Sequence, residues 1–273
     1  MIAEKNGGIP IAAAMALAAF ALLPSCGEKS YVDNATLVNQ AIEAAATKGE
    51  WDKAKNLTGK AVSQNPNDPN ARTLLALALE QEGALKNAIA EAEGAVDADG
   101  DNFMAQYTLG RLRFKAKDYG NCPAPLKKAK LLKSKDPRVT LLLARTYAML
   151  DIDKEAIKNY AELAATDKYA QRPEPYNELG VLFFKRRDYP RAKKYFRTAL
   201  EKDPNNSVVN QNMAVFWDRI AAICAKSDAR KARIAKTKAI GHYKACLDAL
   251  SPSNPANAER RRLIEKRIEA LAK

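Results

Sequence analysis

The sequence predicts an all-α protein: a superhelical stack (an α-solenoid) of about six helix pairs, followed by a C-terminal capping helix. Three observations support this prediction. Small and apolar residues recur with a period of 34 residues, prolines stand where helices are expected to end, and β-branched or aromatic residues nowhere alternate over the length of a strand. Because a unit of this length buries its apolar face only against its neighbours, the period predicts a stack rather than one compact core.

The N-terminal apolar run, residues 9–23, predicts an export signal, because its length suits a signal peptide better than a permanent membrane span. The sequence LLPSC that follows resembles a bacterial lipobox. The resemblance implies a lipoprotein signal peptide over 1–25, lipid attachment at Cys26 and a tether over 26–34. Gly27, which stands where an Asp would retain a lipoprotein at the inner membrane, then implies the periplasmic face of the outer membrane. The alternative is an ordinary apolar helix with an incidental cysteine.

The clearest copy of the repeat is residues 173–206. Its signature residues are Tyr176, Leu179, Gly180, Phe183, Ala192, Phe196, Ala199 and Pro204. This pattern resembles the tetratricopeptide repeat family. The resemblance implies two antiparallel helices in each repeat, here named helix A and helix B, and a right-handed superhelix of repeats. The small residues Gly180 and Ala192 let the two backbones approach closely, and Pro204 ends helix B because its ring cannot continue the hydrogen-bond ladder.

The same pattern, kept in phase along the chain, predicts an array over 35–254. The repeats are expected to start at residues 35, 69, 103, 137, 173 and about 207, with one step of 36 residues before the fifth. In the sixth repeat the helix B signature comes late, so the basic insertion 225–237 must lengthen the two helices or their connection. Residues 255–273 are amphipathic and predict a helix that covers the last apolar face of the stack.

The third repeat departs from the pattern where its helix B should begin. Pro123 and Pro125 fall inside the first two turns, and proline removes donors from the helical ladder. Helix B of this repeat is therefore expected to start late, near Ala124.

No catalytic constellation stands out. The only histidine, His242, lies within a helical segment without a nucleophile placed beside it by any motif, which is typical of a surface or hydrogen-bonded core histidine. No phosphate-binding loop, nucleophile elbow, dinucleotide fingerprint or zinc-protease motif is present in the sequence. The sequence therefore predicts a protein that is not an enzyme and that needs no cofactor.

Three cysteines remain besides Cys26: Cys122, Cys224 and Cys246. Cys224 is expected on helix A and Cys246 on helix B of the sixth repeat, so the two could meet as antiparallel neighbours and form a disulfide. The alternative is two small buried side chains. Since the cysteines and the histidine form no spaced cluster, no metal site is expected.

In the family that the repeat resembles, five positions of helix A line a concave groove. Here those positions carry aromatic and basic side chains together with two amides: Tyr107, Arg111, Phe114, Arg138, Arg145, Asn177, Phe184, Lys185 and Gln211. Such a surface suits an extended or helical acidic segment of a protein partner. The Lys and Asn pattern of chaperone-binding clamps is not reproduced. The alternative is a solvated surface on which Phe114 and Phe184 pack between repeats.

The resemblance and the charge favour two functions. The first is a non-enzymatic scaffold, lipid-anchored in the bacterial envelope, whose groove binds a protein or peptide during envelope, pilus or secretion assembly; its layout resembles the pilotin-like class. The second is a polyanion-binding module for anionic lipid, glycan or nucleic acid. It rests on the net charge of +13, much of which falls in the C-terminal region. Of the two, the scaffold is preferred, and nucleic acid is not an expected partner.

Overall fold

The computed structural model describes residues 32–47 and 49–273. The predicted signal peptide, Cys26 and most of the predicted tether lie outside the described residues. Within them the chain is helical and has no strand, and none of its helices is long and apolar enough to cross a bilayer. The helices are α1 (Asn34–Thr47), α2 (Trp51–Gln64), α3 (Pro69–Gln81), α4 (Leu85–Ala98), α5 (Phe103–Lys115), α6 (Pro123–Leu132), α7 (Pro137–Met149), α8 (Asp153–Ala164), α9 (Asp167–Ala170), α10 (Pro173–Lys185), α11 (Tyr189–Lys202), α12 (Ser207–Cys224), α13 (Ala229–Ala249) and α14 (Ala258–Ala272).

The predicted all-α repeat fold is confirmed. Helices A begin within one residue of every predicted repeat start. The described chain separates into two compact units, the first ending at Leu142 and the second beginning at Leu143.

In the third and fifth repeats, close packing of helix A on helix B depends on a glycine at the eighth position of helix A. A Cβ added to Gly110 would lie 2.5 Å from Leu126 Cδ2, and one added to Gly180 would lie 2.5 Å from Phe196 Cδ1. Leu126 and Phe196 are themselves buried. The two glycines therefore bring the backbones to a distance that no larger residue permits.

The turns from helix A to helix B share one backbone feature. Each of the first five contains a residue with positive φ, at intervals of 34, 34, 34 and 36 residues: Gly49 (66°), Gly83 (82°), Lys117 (62°), Asp151 (58°) and Arg187 (59°). This left-handed conformation favours glycine. Three of the turns nevertheless hold a charged residue there.

The third and fourth repeats differ from the others in their second helices. In the third, a short 3₁₀ turn over Tyr119–Asn121 precedes α6, which starts at Pro123, as late as the prolines predict. In the fourth, the four-residue helix α9 follows α8 and accommodates the longer step to the fifth repeat. The hydroxyl of Tyr176 donates toward the carbonyl oxygens of Ala164 and Ala170 at 3.3 and 3.1 Å, which ties this segment to α10.

The basic insertion lengthens both helices of the sixth repeat, which corrects the prediction of a Cys224–Cys246 disulfide. Cys224 is the last residue of α12, whereas Cys246 lies near the far end of α13, roughly 25 Å along that helix from its start at Ala229. A disulfide needs Cα atoms within about 7 Å. Both thiols are accordingly free, with Cys246 buried.

The last helix, α14, packs on α12 and α13 through Ile264 and Leu271, which join a buried cluster around Tyr243 and Cys246. Arg267 of α14 donates two hydrogen bonds of 2.7 Å to the Asp218 carboxylate of α12. The outward face of α14 is mostly polar, as the capping role requires.

Candidate protein-binding surface

In the first unit, the predicted groove residues are largely engaged within the chain. Arg111 donates from both guanidinium Nη atoms to the two carboxylate oxygens of Glu80, and Lys115 donates to the same carboxylate at 3.0 Å. Glu80 is only 6% exposed. Burial by itself raises the pKa of Glu80, but the hydrogen bonds and charges of Arg111 and Lys115 bring that pKa below its usual value. Arg111 is thus a structural partner of Glu80.

The other three predicted groove residues of this unit also make contacts within it. Tyr107 is buried and stacks on Phe103, with ring centroids 6.0 Å apart. Arg138 pairs with Asp136 and lies over the Tyr107 ring, 5.4 Å from its centroid. Phe114 is half-buried against Tyr119. The prediction that these side chains line an open groove is therefore wrong for Tyr107, and the others offer little free surface.

In the second unit, the amides of Asn177 and Gln211 are hydrogen-bonded. Asn177 is buried and accepts a hydrogen bond of 2.8 Å from Asn212, and Gln211 accepts one of 2.8 Å from Arg260 of α14. Each amide oxygen already accepts a hydrogen bond within the chain. The predicted contact role of Gln211 is reduced, because α14 already binds it.

The remaining predicted residues of this unit differ in how far they are engaged. Phe184 is half-buried against Phe216, with ring centroids 6.0 Å apart. Lys185 is exposed and pairs with Asp151 and Asp153. Arg145 is exposed, and in the described part of the chain its guanidinium makes no hydrogen bond or ion pair within the contact distances. Of the predicted set, Arg145 is the side chain most available to a partner.

Arg145 lies in an electrostatic cluster with Glu178. Burial raises the pKa of Glu178, while the charge of Arg145 and a 3.4 Å hydrogen bond from Asn177 lower it in part, so that its pKa stays above the usual value. Burial also raises the pKa of Tyr160. The charge of Glu178 raises that pKa further, and the charge of Arg145 lowers it in part. The charge of Arg145 therefore acts on a carboxyl group whose pKa burial keeps above its usual value.

Residues equivalent to Arg145 were missed by sequence reasoning. Val181 and Val215 occupy the same position of helix A in the next two repeats, 36 and 34 residues further on. Val181 is half-buried and Val215 is 41% exposed. We name Arg145, Val181 and Val215 the helix A stripe. The repeat spacing alone would have identified the two valines. They were missed because the prediction favoured aromatic and basic side chains.

The structure places His242, the single histidine of the sequence, within the packed sixth repeat. His242 is half-buried and its Nδ1 lies 3.1 Å from Asn210 Oδ1, while burial, followed by the charge of Lys238, lowers its pKa. No group of three or more His, Cys, Asp or Glu side chains in the described ranges could hold a metal ion. His242 is thus a hydrogen-bonded histidine of the packed repeat.

Comparison with known proteins points to one family. A family model described as tetratricopeptide repeat matches residues 173–206, and a second with the same description matches residues 39–103. No curated protein sequence matches the chain.

Several solved structures resemble the chain in fold. The structure of pilF from Pseudomonas aeruginosa is 18% identical, with a TM-score of 0.59 over 87% of this chain and 96% of that one. MamA from Desulfovibrio magneticus RS-1, from residue 41 to its end, is 19% identical, with a TM-score of 0.58 over 65% and 99% of the two chains. YrrB, described as a protein of the same repeat class with an unusual peptide-binding site, is 19% identical, with a TM-score of 0.56 over 70% and 96%. The two matched segments, the 34-residue period and the helix pairs identify the chain as a tetratricopeptide repeat protein.

Proposed function

We propose that the chain is a lipid-anchored, non-enzymatic scaffold of the bacterial cell envelope, and that the helix A stripe binds a protein or peptide partner during envelope, pilus or secretion assembly. Tetratricopeptide repeats are in general protein–protein interaction scaffolds, since stacked helix pairs present an extended surface whose side chains vary independently of the fold. The finer assignment rests on the stripe and on the N-terminal sequence.

The observation that carries the proposal is the availability of Arg145 next to apolar surface. Met149, one turn further along α7, is 53% exposed, and Val215 of the stripe is also exposed. A guanidinium binds a carboxylate through two parallel hydrogen bonds, and neighbouring apolar groups bury the aliphatic part of the same ligand. The stripe therefore suits a partner segment that carries an acidic side chain beside apolar ones.

The fold of YrrB, whose description includes a peptide-binding site, supports a peptide as the ligand class. The lipobox-like sequence ending in Cys26 supports attachment to a membrane on the exported side. The envelope setting of the proposal depends on this sequence.

Site-specific crosslinking tests the binding surface. A photoreactive amino acid is introduced at Val215 and, as the control, at Lys158, an exposed residue on helix α8. In growing cells the Val215 probe should form one discrete adduct that the Lys158 probe does not form. The additional change Arg145→Glu should weaken that adduct, because a carboxylate on the partner would meet a like charge. Equal adducts from both probes, or an adduct indifferent to Arg145→Glu, would refute the assignment of the stripe.

A further inference from the structure

The two helices of the sixth repeat extend beyond the lengths of their counterparts. Helix α12 has 18 residues, whereas the helices A of repeats two to five have 13, and α13 has 21 residues against 14 in α2, α4 and α11. The extra turns project the connection between α12 and α13 by about 8–10 Å. We name residues 219–238, which end α12 and begin α13, the hairpin tip.

The hairpin tip is held together by small residues. Ala221 of α12 and Ala232 and Ala235 of α13 are buried, and the Asp228 side chain caps α13 by accepting from the Lys231 amide. In the described part of the chain, no hydrogen bond or ion pair links the tip to an element other than its own two helices. The tip is therefore a folded projection whose outer surface is available.

Its outer surface is strongly basic. The tip contains seven basic residues and one acidic residue, Asp228. That carboxylate pairs with Lys231 at 3.1 Å, and the Lys238 ammonium lies over the Trp217 ring, 4.3 Å from its centroid. The remaining basic residues of the tip, mostly exposed, have no ion-pair partner in the described ranges: Arg219, Lys226, Arg230, Arg233 and Lys236. Such a concentration of charge attracts an anionic surface.

Two exposed aliphatic side chains accompany this charge. Ile223 of α12 is 46% exposed and Ile234 of α13 is 45% exposed. Basic side chains combined with exposed aliphatic groups are typical of elements that lie in the interface of a bilayer. Single-stranded nucleic acid is usually held by aromatic side chains on which bases stack, and the tip contains no aromatic residue. The composition thus favours a lipid surface over single-stranded nucleic acid, and the test below distinguishes a lipid surface from a duplex.

We propose that the hairpin tip docks on the surface of an anionic phospholipid bilayer, with Lys226, Arg230 and Arg233 near the headgroups and Ile223 and Ile234 inserted at the interface. This contact is separate from the helix A stripe and does not require a partner to be bound there. It gives the array a second attachment to a membrane, at the opposite end of the sequence from Cys26.

The test compares binding of the full-length chain to vesicles of phosphatidylcholine and to vesicles in which about a third of the lipid is phosphatidylglycerol. The N-terminal apolar run is present in every variant, so the ratio of the two affinities isolates the anionic contribution. The triple variant Lys226→Glu/Arg230→Glu/Arg233→Glu should lower this ratio by at least about 100-fold, since each basic side chain near an anionic surface contributes about a factor of five and each new carboxylate is repelled by that surface. The matched control Lys60→Glu/Lys86→Glu/Lys154→Glu changes the net charge equally at exposed positions elsewhere and should retain most of the ratio.

A second variant distinguishes lipid docking from simple attraction to polyanions. Ile223→Ser/Ile234→Ser keeps every charge and should weaken vesicle binding several-fold, while binding to a short DNA duplex should not change. Equal loss in the two triple variants, or vesicle binding unaffected by the isoleucine changes, would overturn the proposal. Circular dichroism verifies that each variant keeps its helical content.

Discussion

Arg267 binds Asp218 through two hydrogen bonds of 2.7 Å, and this pair reproduces the relationship of Arg111 with Glu80 in the first unit. Each acid is the twelfth residue of a helix A. Arg111 lies on α5, which is helix A of the next repeat, and Arg267 lies on α14. A second pair of contacts corresponds in the same way. Gln211 and Tyr107 are each the fifth residue of a helix A; Arg260 of α14 binds Gln211, and Arg138 of α7 lies over the Tyr107 ring. Helix α14 thus takes the place that helix A of a further repeat would occupy.

The two equivalent pairs are expected to contribute unequally to stability. Glu80 is nearly fully buried, so Arg111→Ala leaves a buried carboxylate with Lys115 alone and should cost about 2–3 kcal/mol. Arg267 is half exposed, so Arg267→Ala should cost less than about 1 kcal/mol. Urea denaturation of the single variants measures both. Equal costs would show that burial of the ion pair does not set its contribution to stability.

Gly180 should not tolerate alanine although it lies in a helix. The added Cβ would meet the buried ring of Phe196, and such overpacking should destabilise the fold by about 1–3 kcal/mol. Gly241 of α13 has no atom within 4 Å of an added Cβ, so Gly241→Ala should instead stabilise by up to about 1 kcal/mol. The melting temperature should therefore fall in Gly180→Ala and rise in Gly241→Ala. A rise in both variants would contradict the close approach at Gly180.

Glu178 should make the second unit less stable as the pH rises. Burial raises its folded pKa above its unfolded value, so the folded state binds the proton more tightly. The stabilisation is full below about pH 4.3, the ordinary pKa of glutamate, and is lost as the pH rises through the folded pKa. Glu178→Gln should then melt at a higher temperature than the wild type at neutral pH and at the same temperature near pH 4. Glu174→Gln, an exposed change on the same helix, serves as the control and should show no such difference.

Lipid attachment at Cys26 predicts a covalent label. Cells grown with an alkyne-tagged fatty acid should incorporate it into the wild-type chain and into a Cys224→Ser variant, but not into Cys26→Ser, because acylation needs the lipobox thiol. Labelling that persists in Cys26→Ser would place the lipid elsewhere, and absence of label from all three chains would remove the proposed anchor.

The repeats were predictable from sequence because their determinants are local. Prolines at positions such as Pro69 and Pro173 start helices, and the glycine at Gly180 fixes the spacing within a pair. The late start of α6 followed from Pro123 in the same way. Each of these features depends on residues close in the sequence, and the period then reproduces it along the chain.

The candidate site was less predictable, because a position on helix A gives the face of a side chain but not its neighbour. The helix A position of Arg111 predicts an open groove, yet the Glu80 carboxylate, 31 residues earlier, binds its guanidinium. The sequence predicts Cys224 and Cys246 on adjacent antiparallel helices, but their distance along the hairpin depends on how the insertion divides between α12 and α13. Both errors concern contacts set by packing rather than by the repeat itself.

The left-handed turn residues are positions at which the stability of the fold can be raised. At Lys117 and Arg187 a side chain occupies a conformation that costs an L-residue about 1–2 kcal/mol, and glycine would remove that strain, offset in part by its greater freedom in the unfolded chain. Asp151 differs, because it also binds Lys185. Engineering of a hardier array could therefore begin at two loop positions and leave both the helix A stripe and the hairpin tip untouched.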